Sequence, residues 1–191
     1  MAAVRHTTSA QIARIVRSCL ESGHAVEIDG LGAFRPDPEG GFRFEPQICP
    51  KIFLAYVAED HREADRLYDA FRSRGFDPWL DRRKLLPGQN WPRAISQAIS
   101  VSDFFVAYFS ERSVAKRGMF YSELRHALDC ASRLPMEEVY FIPVRLGECR
   151  VPPRIQQEFQ YVDLFPNWDE GLERVLTAMR KELRNRGREA A

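Results

Sequence analysis

Residues 103–109, Asp-Phe-Phe-Val-Ala-Tyr-Phe, limit the fold more than any other stretch of the chain. Six bulky or apolar side chains in succession leave no face for water. A strand of this kind has to be covered on both sides, as in a parallel sheet. It is far too short to cross a bilayer as a helix, which takes about 20 apolar residues. Residues 51–56 (KIFLAY) and 139–145 (VYFIPVR) have the same character. Helical spacing fills the gaps between such runs. Residues 60–74 place Ala64, Leu67, Tyr68 and Phe71 on one face, and Gly75 follows. Residues 76–80 read as a second strand and residues 81–91 as a polar loop. Asn90 can cap a helix with Pro92 in its first turn and Ile95, Ala98 and Ile99 inward. Pro152-Pro153 opens a short helical piece, residues 161–165 read as a fifth strand, and Trp168, Leu172, Val175, Leu176, Met179 and Leu183 mark a closing helix. Strands alternating with helices imply βαβ units. The expected fold over residues 51–186 is α/β: a flavodoxin-like, five-stranded parallel sheet with helices on both faces.

A small α+β appendage is expected before it, over residues 1–46. Thr8 or Ser9 can cap a helix over residues 10–21 with Ile12, Ile15, Val16 and Cys19 on one face, and Gly23 ends it. Strands follow at 25–28, 33–35 and 42–44, separated by Asp-Gly, Leu-Gly and Gly-Gly turn chemistry. Some 40 residues are too few to bury a good core alone. The segment is therefore expected to pack on itself in a dimer or on the larger domain. Residues 45–50, with Pro46 and Pro50, read as an extended linker.

Charge and cysteine usage exclude several classes. The net charge is +1, so no global field favours nucleic acid or a membrane surface. Cys19, Cys49, Cys130 and Cys149 form no CxxC pair and, with four scattered histidines, no metal motif. No metal is expected, and the thiols are expected to be free in a reducing cytoplasm. The first residues show no charged-then-apolar signal pattern.

The chemistry-bearing candidate is Glu123. Residues 116–131 read as a helix whose Phe120, Leu124, Ala127, Leu128 and Ala131 form an apolar stripe. Glu123 flanks that stripe, with Met119 one turn earlier. Taken by itself it is a boundary acid that reaches water or pairs with Arg125. In a doubly wound sheet, however, ligands bind beyond the carboxyl ends of the strands. Residues 56–60, the 81–91 loop and the approach to Glu123 converge on that edge.

Two family resemblances rest on quoted residues. HAVEIDGLGAFRP, residues 24–36, weakly resembles the helix-then-hairpin segment of the HU/IHF family of DNA-binding proteins. Residues 1–50 carry five Arg or Lys against six acids. Phosphate binding needs clustered cations, so self-association or partner docking is favoured over DNA. KIFLAYVAED and WLDRRKLLPGQNW resemble the first and second boxes of TIR (Toll/interleukin-1 receptor) domains, the second with its BB loop. KRGMFYSEL, IPVRL and YVDLF are similar to the later elements of bacterial TIR domains. The resemblance covers residues 51 to about 183.

That resemblance implies either of two activities. Enzymatic members cleave NAD+ at the nicotinamide–ribose bond, giving ADP-ribose or a cyclic isomer, often in antiviral defence. Others only assemble with TIR partners. The enzymatic glutamate falls on Glu123. Tyr56 and Val57 would wall the site, Asp81 would contact the nucleotide, and Arg83 and Lys84 would meet the diphosphate. Gly88, Trp91 and Met119 would complete the nucleotide site, and Leu86, Pro87 and Gly88 would serve assembly. Met119 stands where enzymatic members commonly carry an aromatic, and Ala55 where serine is usual. NAD+ enters as substrate, with no cofactor. A homo-oligomer through TIR–TIR contacts, or association with other TIR proteins, is the implied partnership. The rivals are a non-catalytic scaffold or host-signalling interference protein that acts by TIR–TIR association, and a DNA-tethered regulator.

Overall fold

In the computed structural model, β6 (Phe104–Phe109) runs through the middle of a five-stranded sheet with all six residues buried. The structure describes residues 9–28, 32–37, 40–46, 49–115, 118–135 and 137–187, with the backbone alone at Ser9, Ala10, Pro46 and Met119. The chain divides into two compact units, Met1–Ile48 and Cys49–Ala190.

In the larger unit β4 (Lys51–Ala55) and β7 (Phe141–Arg145) flank β6. The edges are β5 (Asp77–Trp79) and β8 (Val162–Asp163), giving the order β5-β4-β6-β7-β8. Every pairing is parallel. The expected sheet is thus formed. Its edge strands are shorter than their apolar runs, because a single neighbour supports only a few ladder pairs: Phe76 and Leu80 are buried yet lie outside β5.

Side chains alternate across the sheet, as the two-residue repeat of a strand requires. Ile52, Leu54, Phe104, Val106 and Tyr108 enter one core with α2 (His61–Arg72) and α8 (Trp168–Asn185). Phe53, Ala55, Phe105, Ala107 and Phe109 enter the other, which holds residues of α4 (Trp91–Ser100), α6 (Met119–Ala131) and α7 (Pro153–Glu158). Two short helices complete the order, α3 (Asp81–Lys84) and α5 (Glu111–Ala115). The first lies inside the expected loop. Four or five residues are too few for an apolar period to show.

The register lines up one aromatic row across four strands. Phe53 pairs with both Trp79 and Phe105, and Phe105 pairs with Phe141. Their rings stack at 4.9, 5.2 and 5.6 Å between centroids, and Phe159 closes the row at 4.8 Å from Phe141. At the opposite end of the sheet Arg186 donates to the buried Glu182 at 2.7 Å and to the carbonyl of Val139 at 3.0 Å, holding the end of α8.

Gly171 gives a sharp test of the α8 docking. A Cβ there would overlap the carbonyl oxygen of Asp163 and stand 3.0 Å from the Cα of Leu164. Both neighbours are backbone and cannot swing away. Gly171→Ala should therefore lower stability by about 1–3 kcal/mol despite a helix-propensity gain of about 1 kcal/mol. Urea unfolding measures it, and an alanine variant as stable as wild type would show that α8 can shift.

The smaller unit holds α1 (Ser9–Glu21) and an antiparallel meander, β1 (Val26–Ile28), β2 (Gly32–Pro36) and β3 (Phe42–Pro46), in that order. Glu45 and Pro46 belong to β3, paired with Ala33 and Gly32, and not to a linker. Arg35 accounts for this: its guanidinium reaches the Glu45 carboxylate at 2.7 Å across the β2–β3 pair. Thr8, residues 29–31, Gln47 and Ile48 lie outside the described residues. Among the described apolar side chains of this unit Leu20 is buried, while Ile12, Ile15, Phe42 and Phe44 are exposed. That agrees with the physical limit on a core of this length.

Candidate active site

The strand order turns back on itself at β4, which has β5 on one side and β6 on the other. In open α/β sheets a ligand crevice opens at such a point, outside the carboxyl ends of the strands. Tyr56 and Val57 leave β4 there, Leu80 and Asp81 leave β5, and Ser110 leaves β6.

Tyr56 is half-buried and its hydroxyl donates to Asp81 Oδ1 at 2.7 Å. The backbone N–H of Arg82 donates to the same oxygen at 2.6 Å. Burial first, and then this bond, push the Tyr56 phenol well above its ordinary range, so it is a neutral donor. Val57 is buried, and its carbonyl accepts the N–H of Asp60 at 2.8 Å.

Asp60 anchors this wall. Its buried carboxylate accepts the Ser110 hydroxyl at 2.5 Å and the Arg112 guanidinium at 3.1 Å. Ser110 Oγ in turn accepts the N–H of Ser113 at 3.1 Å. The exits of β4 and β6 are thereby tied together. Sequence reasoning missed this trio. Asp60 and Ser110 are 50 residues apart, and each is an ordinary helix-start residue when read locally.

Glu123 sits in the second turn of α6 beside the buried Phe120, Leu124 and Ala127. Among the described residues it makes no hydrogen bond and no ion pair. Arg125, the partner a boundary acid would take, donates to the carbonyl of Tyr121 at 3.3 Å instead. Burial, and then the neighbouring Asp81 carboxylate, push the Glu123 carboxyl up to about 8. An acid raised by burial and by a like charge beside a crevice is a functional-site candidate.

This shift has a stability consequence of known sign. Glu123 keeps its proton in the fold up to about pH 8, whereas in the unfolded chain it loses it near pH 4.3. Between those limits the native state binds more protons, so stability falls as pH rises and levels off above pH 8. Glu123→Gln should match the wild-type Tm near pH 4 and exceed it by several °C at pH 9. Parallel melting curves across that range would disprove the shift.

The remaining candidates lie on the 81–91 segment. Arg83 pairs with Asp65 at 2.8 Å and Asp69 at 2.9 Å and lies over the Tyr68 ring, and Lys84 pairs with Asp77 at 3.1 Å. Arg82 pairs with Asp65 as well. These cations are tied to acids of α2 and β5. Leu86 and Gln89 bond reciprocally, with Gly88 at φ 84° between them, a conformation that favours glycine. Leu86 is 67% exposed and Trp91 48%, and Pro87 and Gly88 are exposed too. The fold therefore brings Tyr56, Asp81 and Glu123 together and displays Leu86, Pro87, Gly88 and Trp91 at the surface. The side chain of Met119 lies outside the described residues. His61 and His126 have local partners, the Ala58 carbonyl and the serines of α4.

A doubly wound parallel sheet with an acid-lined crevice at its switch point defines a flavodoxin-like α/β unit. The model of the TIR domain family matches residues 52–176, and the chain belongs to that family. The TIR domain of a Toll-related receptor from Hydra magnipapillata superposes with a TM-score of 0.53 at 20% identity, covering 66% of this chain and 97% of that one. The TIR domains of the activated Roq1 resistosome give 0.51 at 18% identity, over 67% of this chain and 98% of that one. A prokaryotic SEFIR domain gives 0.51 at 18% identity, over 68% and 92%. At these identities the likeness is one of fold. No curated protein matches the chain. Among the described residues no helix is long and apolar enough to cross a membrane.

Proposed function

We propose that the TIR unit is an NAD+ glycohydrolase or cyclase, with Glu123 as its catalytic residue. The observation that carries this reading is the half-buried Glu123 beside Asp81 at the switch point, with no partner among the described residues. The nicotinamide of NAD+ is already cationic and leaves as a neutral molecule, so no general acid is needed. What the reaction needs is a carboxylate that holds the ribose hydroxyls and faces the developing oxocarbenium carbon. Glu123 meets that need once it has lost its proton, and the cationic substrate itself favours the ionised form. Tyr56, Val57 and Asp81 wall the nucleotide. From the family resemblance, Met119 packs against the nicotinamide, Gly88 and Trp91 complete the nucleotide site, and Arg83 and Lys84 meet the diphosphate by exchanging their acidic partners for it. Water as acceptor gives ADP-ribose, and an adenine nitrogen gives a cyclic isomer.

Incubation with NAD+ and measurement of nicotinamide tests the reading. Release that scales with protein and vanishes in Glu123→Ala supports it. No release from the wild-type chain at high concentration overturns it.

The exposed Leu86 and Trp91 support a second reading, association through the 81–91 loop. In that reading the chain acts as a cytoplasmic scaffold, or its activity depends on self-assembly, to which the small N-terminal unit contributes. Changes at Pro87 or Gly88 then abolish association, while Glu123→Ala leaves association intact and, in a pure scaffold, is silent altogether.

A further inference from the structure

Tyr108 is the anomaly of the core. It is fully buried, and among the described residues its hydroxyl is the one buried side-chain polar atom with no hydrogen-bond partner. A buried hydroxyl left unpaired destabilises a fold, and phenylalanine would fill the same space without that cost. The neighbouring strand offers a reason for it. Ala55 pairs with Ala107 in the parallel register, so the residues that follow, Tyr56 and Tyr108, continue adjacent strands. Both rings pack in the same core, on the α2 and α8 face of the sheet. Tyr56 is bonded to Asp81 Oδ1, an oxygen that already accepts the Arg82 N–H. Burial keeps the Tyr108 phenol neutral, a donor without an acceptor.

We propose that Tyr108 is a positioning residue that offers Tyr56 a second hydrogen-bond partner, so that Asp81 can be released to a ligand bearing a vicinal diol. Two adjacent hydroxyls, such as those of a ribose, present two O–H donors to one carboxylate and compete with the Tyr56 hydroxyl for it. The displaced Tyr56 oxygen then accepts the O–H of Tyr108. One bond to Asp81 replaces another, the Tyr108 hydroxyl gains an acceptor, and the half-buried Tyr56 turns its own proton to the ligand or to water. No proton or covalent bond is transferred. For the identity of the ligand the proposal rests on the NAD+ reading; the exchange of partners itself does not.

Ligand-free melting of a set of variants tests the exchange. Tyr108→Phe should raise Tm by about 2–4 °C in the wild-type background, because it removes the unpaired hydroxyl. In an Asp81→Ala background Tyr56 has already turned to Tyr108, so the same substitution should lower Tm by a similar amount. Adding Tyr56→Phe to Asp81→Ala removes the acceptor and should make Tyr108→Phe stabilising again. A change of one sign in all three backgrounds overturns the proposal. Titration of NAD+ into Glu123→Gln, with and without Tyr108→Phe, reads the coupling to ligand. The expected weakening is about five- to tenfold in Kd, and equal affinities overturn the coupling. If neither variant binds NAD+ while the sign reversal is seen, the nucleotide reading fails and the exchange between Tyr56 and Tyr108 stands.

Discussion

Glu123→Ala should reduce nicotinamide release from NAD+ by roughly a thousandfold while leaving the fold intact. Removing a single preorganised group that stabilises transition-state charge typically costs about 10²–10³ in kcat. In the proposed reaction the carboxylate has two tasks, holding the ribose and facing the cation, so the upper end of that range is expected. The fold should persist because the substitution deletes a carboxyl that is costly to bury and bonds to nothing described. Circular dichroism and melting at pH 8 check that point. Glu123→Gln keeps the shape and loses the charge, so it should be nearly as inactive as alanine. The pH profile separates an ionised role from a protonated one. The kcat/KM ratio reports the free protein, so it should rise with pH and level off above about 8, where Glu123 has ionised. Wild-type release that falls across the same range would mean that the protonated acid is the working form. Release retained in Glu123→Ala would remove this residue from the chemistry altogether.

Phe105→Ala should destabilise the larger unit by about 3–5 kcal/mol, the range for truncating a buried aromatic. Phe105 is fully buried and stacks on Phe53 at 5.2 Å and Phe141 at 5.6 Å. Its removal opens a gap in the middle of the row, and neither neighbour can close it without leaving its own strand position. A domain is stable by about 5–15 kcal/mol in total, so the change consumes a large part of the margin. Tryptophan fluorescence in urea is the direct measurement. Trp79, Trp91 and Trp168 all lie in the Cys49–Ala190 unit, so the signal reports that unit alone. A loss below about 1 kcal/mol would mean that the row repacks, which the stacked geometry argues against.

Much of this was legible in the sequence, for reasons that differ from residue to residue. FFVAYF announced β6 because a strand covered on both faces has no polar positions to spare. The apolar stripe of α6 placed Glu123 at its border, since helical spacing is a property of the chain alone. The two short helices were invisible because four or five residues cannot show a period. The linker expectation failed at Glu45 and Pro46 because two prolines suggested an extended path, and extended is also what an edge strand is. At Asp60 the local signal was that of a helix start, and nothing nearby hinted at Ser110 or Arg112.

The sequence by itself determined the kinds of element, their order and the two-sided burial of a parallel sheet. These follow from spacing along one chain, and the boxes that resemble TIR domains added a site built around Glu123. The tertiary structure decided who meets whom. Register set Phe53, Phe105 and Phe141 in one row and Tyr56 beside Tyr108. Strand order brought Asp81 near enough to Glu123 to raise its carboxyl, and gave Asp81 the Tyr56 hydroxyl. Such pairings join residues far apart along the chain. They are settled by how strands align and which helix covers them, and no local pattern carries that information.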